Sequence, residues 1–86
     1  MSNEILEKLR KNEGYANALK LLGELSFGTT IEINKPFYVS IGMKRFGSSV
    51  EKIEKDLSGL EEMGLISLEG RKIKMKEKAF KYLKRP

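Results

Sequence analysis

The chain contains no cysteine and no histidine. Without cysteine there is no disulfide, no thiol nucleophile and no thiolate ligand for a zinc finger. Without histidine the chain lacks the side chain that most often serves as general base. No glycine-rich phosphate loop of the form GxxxxGK[ST] or GxGxxG is present either. These absences favour a binding protein over an enzyme, with no metal and no cofactor expected.

Long apolar runs are missing as well. All apolar stretches are far shorter than the roughly 20 residues that a membrane-spanning helix needs. Residues 1–10 carry acidic side chains and no long apolar stretch, so no signal peptide is expected. We therefore expect a cytoplasmic protein. A length of 86 residues predicts one domain, residues 1–86, with a thin core that leaves surface for a partner.

Positive charge is abundant and unevenly placed. The net charge is +5, but residues 1–34 sum to −1, residues 35–50 to +3, residues 51–70 to −4 and residues 71–86 to +7. Clustered cations of this kind are typical of a surface that binds a polyanion. A lysine-rich solvated surface has the same pattern, so charge alone leaves both interpretations open.

Two helical segments are predicted before residue 29, separated by the polar stretch "NEG". The first covers residues 3–11 behind a cap at Ser2 or Asn3. The second has a stronger apolar stripe that begins at Tyr15, and its expected stop is Gly28. The first segment either continues the second helix or forms a separate arm.

The middle of the chain permits two interpretations. "TTIEI" alternates and is rich in β-branched residues, which predicts a short strand. The next stretch, "NKPFYVSIGMKRFG", is either a helix capped by Asn34 with Pro36 in its first turn, or an alternating strand that makes residues 29–43 a β-hairpin. Gly42 inside a helix costs about 1 kcal/mol relative to alanine. As a helix, the stretch is expected to bury three apolar residues: Phe37, Ile41 and Phe46.

Residues 48–63 predict the clearest helix in the chain. Ser48 or Ser49 supplies the cap, with Ser48 and Glu51 spaced as a capping box. Gly64 is the expected C-terminal stop. The predicted buried stripe consists of Val50, Ile53, Leu57 and Leu60.

A β-hairpin and a short helix are predicted to close the chain. "LISL" and "RKIKM" flank Glu69-Gly70, which is a two-residue turn signal. "EKAFKYL" then predicts a short closing helix. The side chains expected to face inward from the hairpin are Leu65 or Ile66, Leu68, Ile73 and Met75.

The stretch "SSVEKIEKDLSGLEEMGLISLEGRKIKMKEKAFKYL" resembles the second half of winged-helix transcriptional regulators of the MarR, ArsR and PadR kinds. It is most similar to the small archaeal winged-helix proteins of chromosomes, plasmids and viruses. In that family a serine-led recognition helix runs through an "LeexGLI" turn into a wing and a last helix. The resemblance covers residues 48–83 well, residues 15–28 loosely and residues 29–47 poorly. Ala79 stands where the family's last helix has a glycine.

The resemblance implies an α+β, mostly α fold: a winged helix-turn-helix with a two-stranded wing and a short closing helix. Residues 1–14 would form an N-terminal helical arm on a core of residues 15–83. A recognition helix at residues 48–63 would enter the major groove of double-stranded DNA, and a wing at residues 65–76 would lie on the phosphate backbone. The implied function is sequence-dependent DNA binding by a small transcriptional regulator located at the nucleoid.

Candidate DNA-binding residues follow from that implied placement. The wing cations would contact phosphate, while Ser49, Lys52, Lys55 and Gly59 would face base edges and Glu51 could accept a hydrogen bond from cytosine. The same charges are also those of ordinary solvated helix and strand surfaces. The candidate residues are Lys44, Arg45, Ser48, Ser49, Lys52, Lys55, Arg71, Lys72 and Lys74.

Two other functions stay open. The acidic character of residues 51–70 suits a winged-helix module that binds proteins in a replication, transcription or other complex, and weak specificity would indicate an architectural DNA-binding protein. Because one such domain has a small DNA footprint, we also expect a homodimer. Its candidate surface either mediates the dimer or folds onto the chain's own core: Ile5, Leu6, Leu9 and Tyr15.

Overall fold

The computed structural model of the protein describes residues 4–27 and 32–83. These residues form a mostly helical α+β fold, as predicted, and none of their helices is long and apolar enough to cross a membrane. The elements are α1 (Glu4–Lys11), α2 (Glu13–Ser26), β1 (Glu32–Asn34), α3 (Lys35–Phe46), α4 (Val50–Glu62), β2 (Ile66–Glu69), β3 (Lys72–Met75) and a closing 3₁₀ helix (Glu77–Tyr82). Three predicted features lie outside the described residues: the Ser2 or Asn3 cap, the Gly28 stop and strand residues 29–31.

A single residue, Asn12, separates α1 from α2. Its side-chain oxygen accepts hydrogen bonds from the backbone N–H groups of Gly14 at 3.0 Å and Tyr15 at 3.3 Å, so Asn12 caps α2. The N-terminal arm is therefore a separate helix. The second helix begins at Glu13, two residues earlier than its apolar stripe indicates.

The middle of the chain is a strand followed by a helix, and the β-hairpin interpretation is wrong. The Asn34 side chain accepts a 2.8 Å hydrogen bond from the Phe37 N–H, and Pro36 occupies the first turn of α3. Gly42 faces α4, where an added Cβ would lie 3.1 Å from Cδ1 of Ile53. The close approach of the two helices offsets the low helix propensity of glycine.

The buried face of α3 differs from the predicted one. Tyr38 and Val39 are buried, whereas Phe37 is 54% exposed and Ile41 and Phe46 are half-buried. The prediction was wrong for Phe37 because the helix period places it on the side away from Tyr38 and Val39.

Helix α4 matches its prediction except in the first turn. The Ser49 hydroxyl accepts a hydrogen bond from the Lys52 N–H at 3.2 Å, so Ser49 is the cap and the predicted Ser48–Glu51 capping box is wrong. Val50, expected in the core, is 41% exposed. As the first residue of the helix it lies at the end of the apolar stripe, past the buried core. The rest of the predicted stripe is buried: Ile53, Leu57 and Leu60.

A Schellman motif ends α4. The Leu65 N–H donates to the Leu60 carbonyl at 3.1 Å and the Gly64 N–H donates to the Glu61 carbonyl at 2.9 Å. Gly64 has a φ of +80°, and the side chains of Leu60 and Leu65 are both fully buried. The motif directs the chain from α4 into β2.

Replacing Gly64 by alanine is expected to lower the free energy of unfolding by about 1 kcal/mol, because a Cβ is disfavoured at this φ. Chemical denaturation monitored by circular dichroism measures the change. Gly64→Asn is the matched control and should lose less, since asparagine tolerates the left-handed region better than alanine. Equal losses in the two variants would contradict a backbone cause.

The three strands form an antiparallel sheet with β3 at its centre, in the order β1-β3-β2. Glu69 pairs with Lys72, so the hairpin loop is Gly70-Arg71, one residue later than predicted. Gly70 has a φ of +61°, a conformation that two-residue hairpin loops favour. Ile33 and Ile73 pair on the inner face of the sheet.

The core lies between the helices and the inner face of the sheet. Both candidates for the first inward hairpin position are buried, and Leu68 is half-buried at the sheet edge. Ala79 of the closing helix is fully buried. The other fully buried apolar side chains include Leu22, Leu57, Leu60, Leu65, Ile66 and Ile73.

Candidate functional site

The tip of the hairpin lies against the start of α3. The Lys35 N–H donates to the Arg71 carbonyl at 2.8 Å, and β3 is paired on both sides, with β1 and with β2. The side chains of Lys35 and Glu54 approach to 3.9 Å at the same corner. Sequence reasoning missed Lys35 as a site residue, although its position in the basic segment 35–50 was a usable signal.

The outer face of the sheet mixes lysines with glutamates. Lys72 Nζ lies 3.1 Å from a Glu32 carboxylate oxygen, while Lys74 is opposite Glu32 and Ser67 in the strand register. Among the described residues, no carboxylate pairs with Lys74 or Arg71. Of the three predicted wing cations, two are therefore available to an external anion and the third is partly neutralised.

Several charged residues of α4 are occupied by contacts within the protein. Lys52 Nζ contacts both carboxylate oxygens of Asp56, at 2.8 and 3.1 Å. The Asp56 side chain is only 13% exposed, so it holds Lys52 against the body of the protein. Glu61 accepts a 3.0 Å hydrogen bond from the Leu68 N–H and so covers part of the sheet edge. Lys52 was a predicted base-reading residue, and this contact turns it toward Asp56.

The remaining polar residues of α4 form one exposed line, which we call the α4 ridge: Glu51, Lys55, Ser58 and Glu62. Their spacing of i, i+4, i+7 and i+11 places them on one side of the helix, opposite the buried stripe. Within the described part of the chain, none of the three charged members has an ion-pair partner. The ridge therefore presents one cation, two carboxylates and a hydroxyl to the surroundings.

The residues before α4 have different roles. Arg45 pairs with Glu24 at 3.2 Å and thereby ties α3 to α2. Lys44 is exposed and pairs with no described carboxylate. Ser49 caps α4 and Ser48 is half-buried beside it. Of the two predicted backbone-contact cations at this position, Lys44 is the available one.

Gly59, a predicted base-facing residue, instead packs against α2. A Cβ at residue 59 would lie 2.5 Å from ring atoms of Tyr15, so the prediction for Gly59 was wrong. Tyr38 is also internal, and its hydroxyl donates to the Ala18 carbonyl at 3.4 Å. Burial, helped by the nearby negative charge of Asp56, raises the pKa of the Tyr38 hydroxyl well above its usual range. Tyr15 and Tyr38 are therefore core residues.

A groove of about 440 Å³ opens between α3, α4 and the hairpin tip. Lys35 and Arg71 contribute cationic groups to its wall and Glu54 an anionic one. Met43 lines it and is 40% exposed. The other lining residues are Pro36, Val39, Ser40 and Gly70.

The N-terminal arm covers its own core with three of the four residues predicted as a dimer surface. Leu9 is buried, and Ile5 and Tyr15 are partly buried against the same core cluster. Leu6 is different, because its side chain is 42% exposed.

Among the described residues there is no cluster of three or more acidic side chains that could hold a metal ion. No family model, curated protein or solved structure matches this chain. Its function is therefore argued from the geometry alone.

Proposed function

We propose that this protein is a winged-helix regulator that binds double-stranded DNA in a sequence-dependent way. The supporting observation is the arrangement of elements: α3 and α4 are followed directly by the β2–β3 hairpin, and β1 completes the sheet on the other side of β3. This is the order of elements in a winged helix-turn-helix. In the proposal α4 enters the major groove and the hairpin is the wing.

The α4 ridge is the base-reading surface in this proposal. Lys55 donates to guanine O6 or N7, and Glu51 accepts from cytosine N4. Both side chains are exposed and without an ion-pair partner in the described residues, so neither has to leave an internal contact first. Lys52 plays a smaller part than its sequence position implies, because Asp56 holds it.

Phosphate contacts come from the unpaired cations around the ridge. Arg71 and Lys74 supply them from the hairpin and Lys44 from the end of α3. Lys35, at the corner with Arg71, adds a fourth once its loose 3.9 Å contact with Glu54 is released. Such contacts add affinity and fix orientation without reading sequence. Bound protein then regulates by occupancy, blocking or recruiting polymerase.

Glu62 makes the proposal testable in the direction of tighter binding. Its carboxylate ends the α4 ridge, where a helix in the major groove runs beside phosphates, so it opposes binding. We expect Glu62→Lys to tighten binding to random-sequence duplex DNA by about tenfold and to steepen the log–log salt slope by about one unit. Fluorescence anisotropy from low to moderate salt measures both quantities.

Glu77→Lys, the same charge reversal in the closing helix, is the matched control and should change affinity much less. The native protein itself should bind the pool with a slope of about −4, from about four phosphate contacts. If Glu62→Lys has no more effect than Glu77→Lys, the α4 ridge does not face DNA. If no variant binds at low salt, the DNA proposal fails.

A protein-interaction module is the second candidate, and one observation favours it. Phe37, Met43 and Val50 are substantially exposed on α3 and α4, beside a ridge that contains more carboxylates than cations. Exposed apolar side chains among charges are typical of protein-binding surfaces. This candidate predicts no salt-dependent DNA binding, and Val50→Ala would weaken capture of the partner. An architectural DNA-binding protein would instead bind DNA as proposed but with a small ratio of specific to nonspecific affinity.

A further inference from the structure

A second surface groove lies away from the α4 ridge, between α1, α2 and the closing 3₁₀ helix. Its volume is about 350 Å³ and its floor is apolar: Leu6, Leu9, Ala16, Leu19, Tyr82 and Leu83. Arg10 and Lys20 also line it and pair with no described carboxylate. An apolar floor with unpaired cations indicates an occupant that is apolar at its centre and acidic at its edge.

Helix α1 has that chemistry. Glu4 and Glu7 lie in its first turn, and Lys8, Arg10 and Lys11 lie in its last. Leu6 is near the middle of the helix and is 42% exposed beside the groove. A second α1 placed antiparallel to the first would bring acidic first turns against basic last turns at both ends, with the two Leu6 side chains between them.

We propose that two copies of this chain associate through α1, antiparallel and about a two-fold axis. Leu6 of each copy contacts the groove of the other, and Glu7 of each copy approaches the other copy's Arg10. A two-fold interface uses one surface twice, so a single complementary pattern on α1 supplies both halves. Two-turn helices bury less than the roughly 800 Å² per partner of standard interfaces, so the association is weak and concentration-dependent.

The interface leaves the α4 ridge accessible because α2 contacts α4 and the closing helix with different residues. Gly14 lies against Asp56 of α4, whereas Gly23 lies against Leu83 at the groove. The association itself does not depend on DNA binding. Only its consequence rests on the proposed function: two ridges related by a two-fold axis would read a pseudo-palindromic site.

Charge reversal tests the antiparallel geometry without DNA. Sedimentation equilibrium of the purified chain over a wide concentration range measures the dissociation constant. Glu7→Lys and Arg10→Glu are each expected to weaken the dimer by about tenfold, because each substitution occurs twice in the interface. The combined variant restores the attraction and should return to within about threefold of the native value. Leu6→Glu should abolish association.

Glu62→Lys, the same change as Glu7→Lys but on the α4 ridge, should leave the dissociation constant unchanged. Thermal unfolding checks that each variant is folded, which the exposure of the substituted side chains favours. A native chain that stays monomeric at millimolar concentration overturns the proposal. So does a combined variant no tighter than either single one, which would indicate another interface. Neither result affects the random-duplex test, since that test is read from DNA affinity.

Discussion

Leu57→Ala is expected to lower the free energy of unfolding by about 3 kcal/mol. Leu57 is fully buried at the middle of α4, in the core cluster shared with α2 and the sheet. Its truncation removes apolar contacts and leaves a cavity that the surrounding side chains fill only in part. Because a domain of this size has only about 5–10 kcal/mol of stability, the loss is a large fraction of the total. Urea denaturation followed by circular dichroism gives the change.

Val50→Ala is the control for that experiment. Both residues belong to the apolar stripe of α4, but Val50 is exposed and is the first residue of the helix. Its truncation should change stability by no more than about 0.5 kcal/mol. A loss comparable to that of Leu57→Ala would show that Val50 is buried in solution, by a different packing of α4 or by a second molecule.

Removing four unpaired cations together is expected to reduce the salt slope of DNA binding by three to four units, roughly 0.9 for each lost phosphate contact. Affinity at low salt should fall by about a hundredfold or more. The variant replaces one residue on α3, one on the α4 ridge and two on the hairpin by alanine: Lys44, Lys55, Arg71 and Lys74. Fluorescence anisotropy with random duplex DNA measures both effects.

An equal loss of net charge elsewhere is the control. Four exposed lysines on α2, after β3 and on the closing helix can be replaced by alanine: Lys20, Lys76, Lys78 and Lys81. Long-range attraction to DNA falls equally in both variants, so a difference between them reports local contact. If the two variants lose affinity equally, the four cations around the ridge have no special role, and binding is a matter of net charge.

Much of the secondary structure could be predicted from local patterns. Helix α4 has a regular apolar period, a serine cap and a glycine stop, and these agree with one another. The middle of the chain could not be assigned because its local signals conflict: Asn34 and Pro36 favour a helix, while Gly42 and the alternating apolar residues oppose it. The contact between Gly42 and Ile53 resolves the conflict, and it exists only in the folded chain.

The site was predicted less well than the fold. Sequence identifies where cations are, but their availability depends on carboxylates that are distant in the chain. Glu24 engages Arg45 and Glu32 engages Lys72, and no spacing rule indicates either pair. The Lys52–Asp56 pair was open to prediction, since residues four apart on a helix are neighbours.

The hydrogen bond between the Lys35 N–H and the Arg71 carbonyl has a consequence for adaptability. With its tip held by α3 and its second strand paired on both sides, the hairpin cannot bend independently of the helices. A rigid hairpin loses little conformational entropy on binding, which favours fast and preorganised docking. It also cannot follow a groove whose width differs from the one it fits. If the hairpin is a wing, the intrinsic shape of the DNA beside the site becomes part of what the protein selects, even where no base is touched.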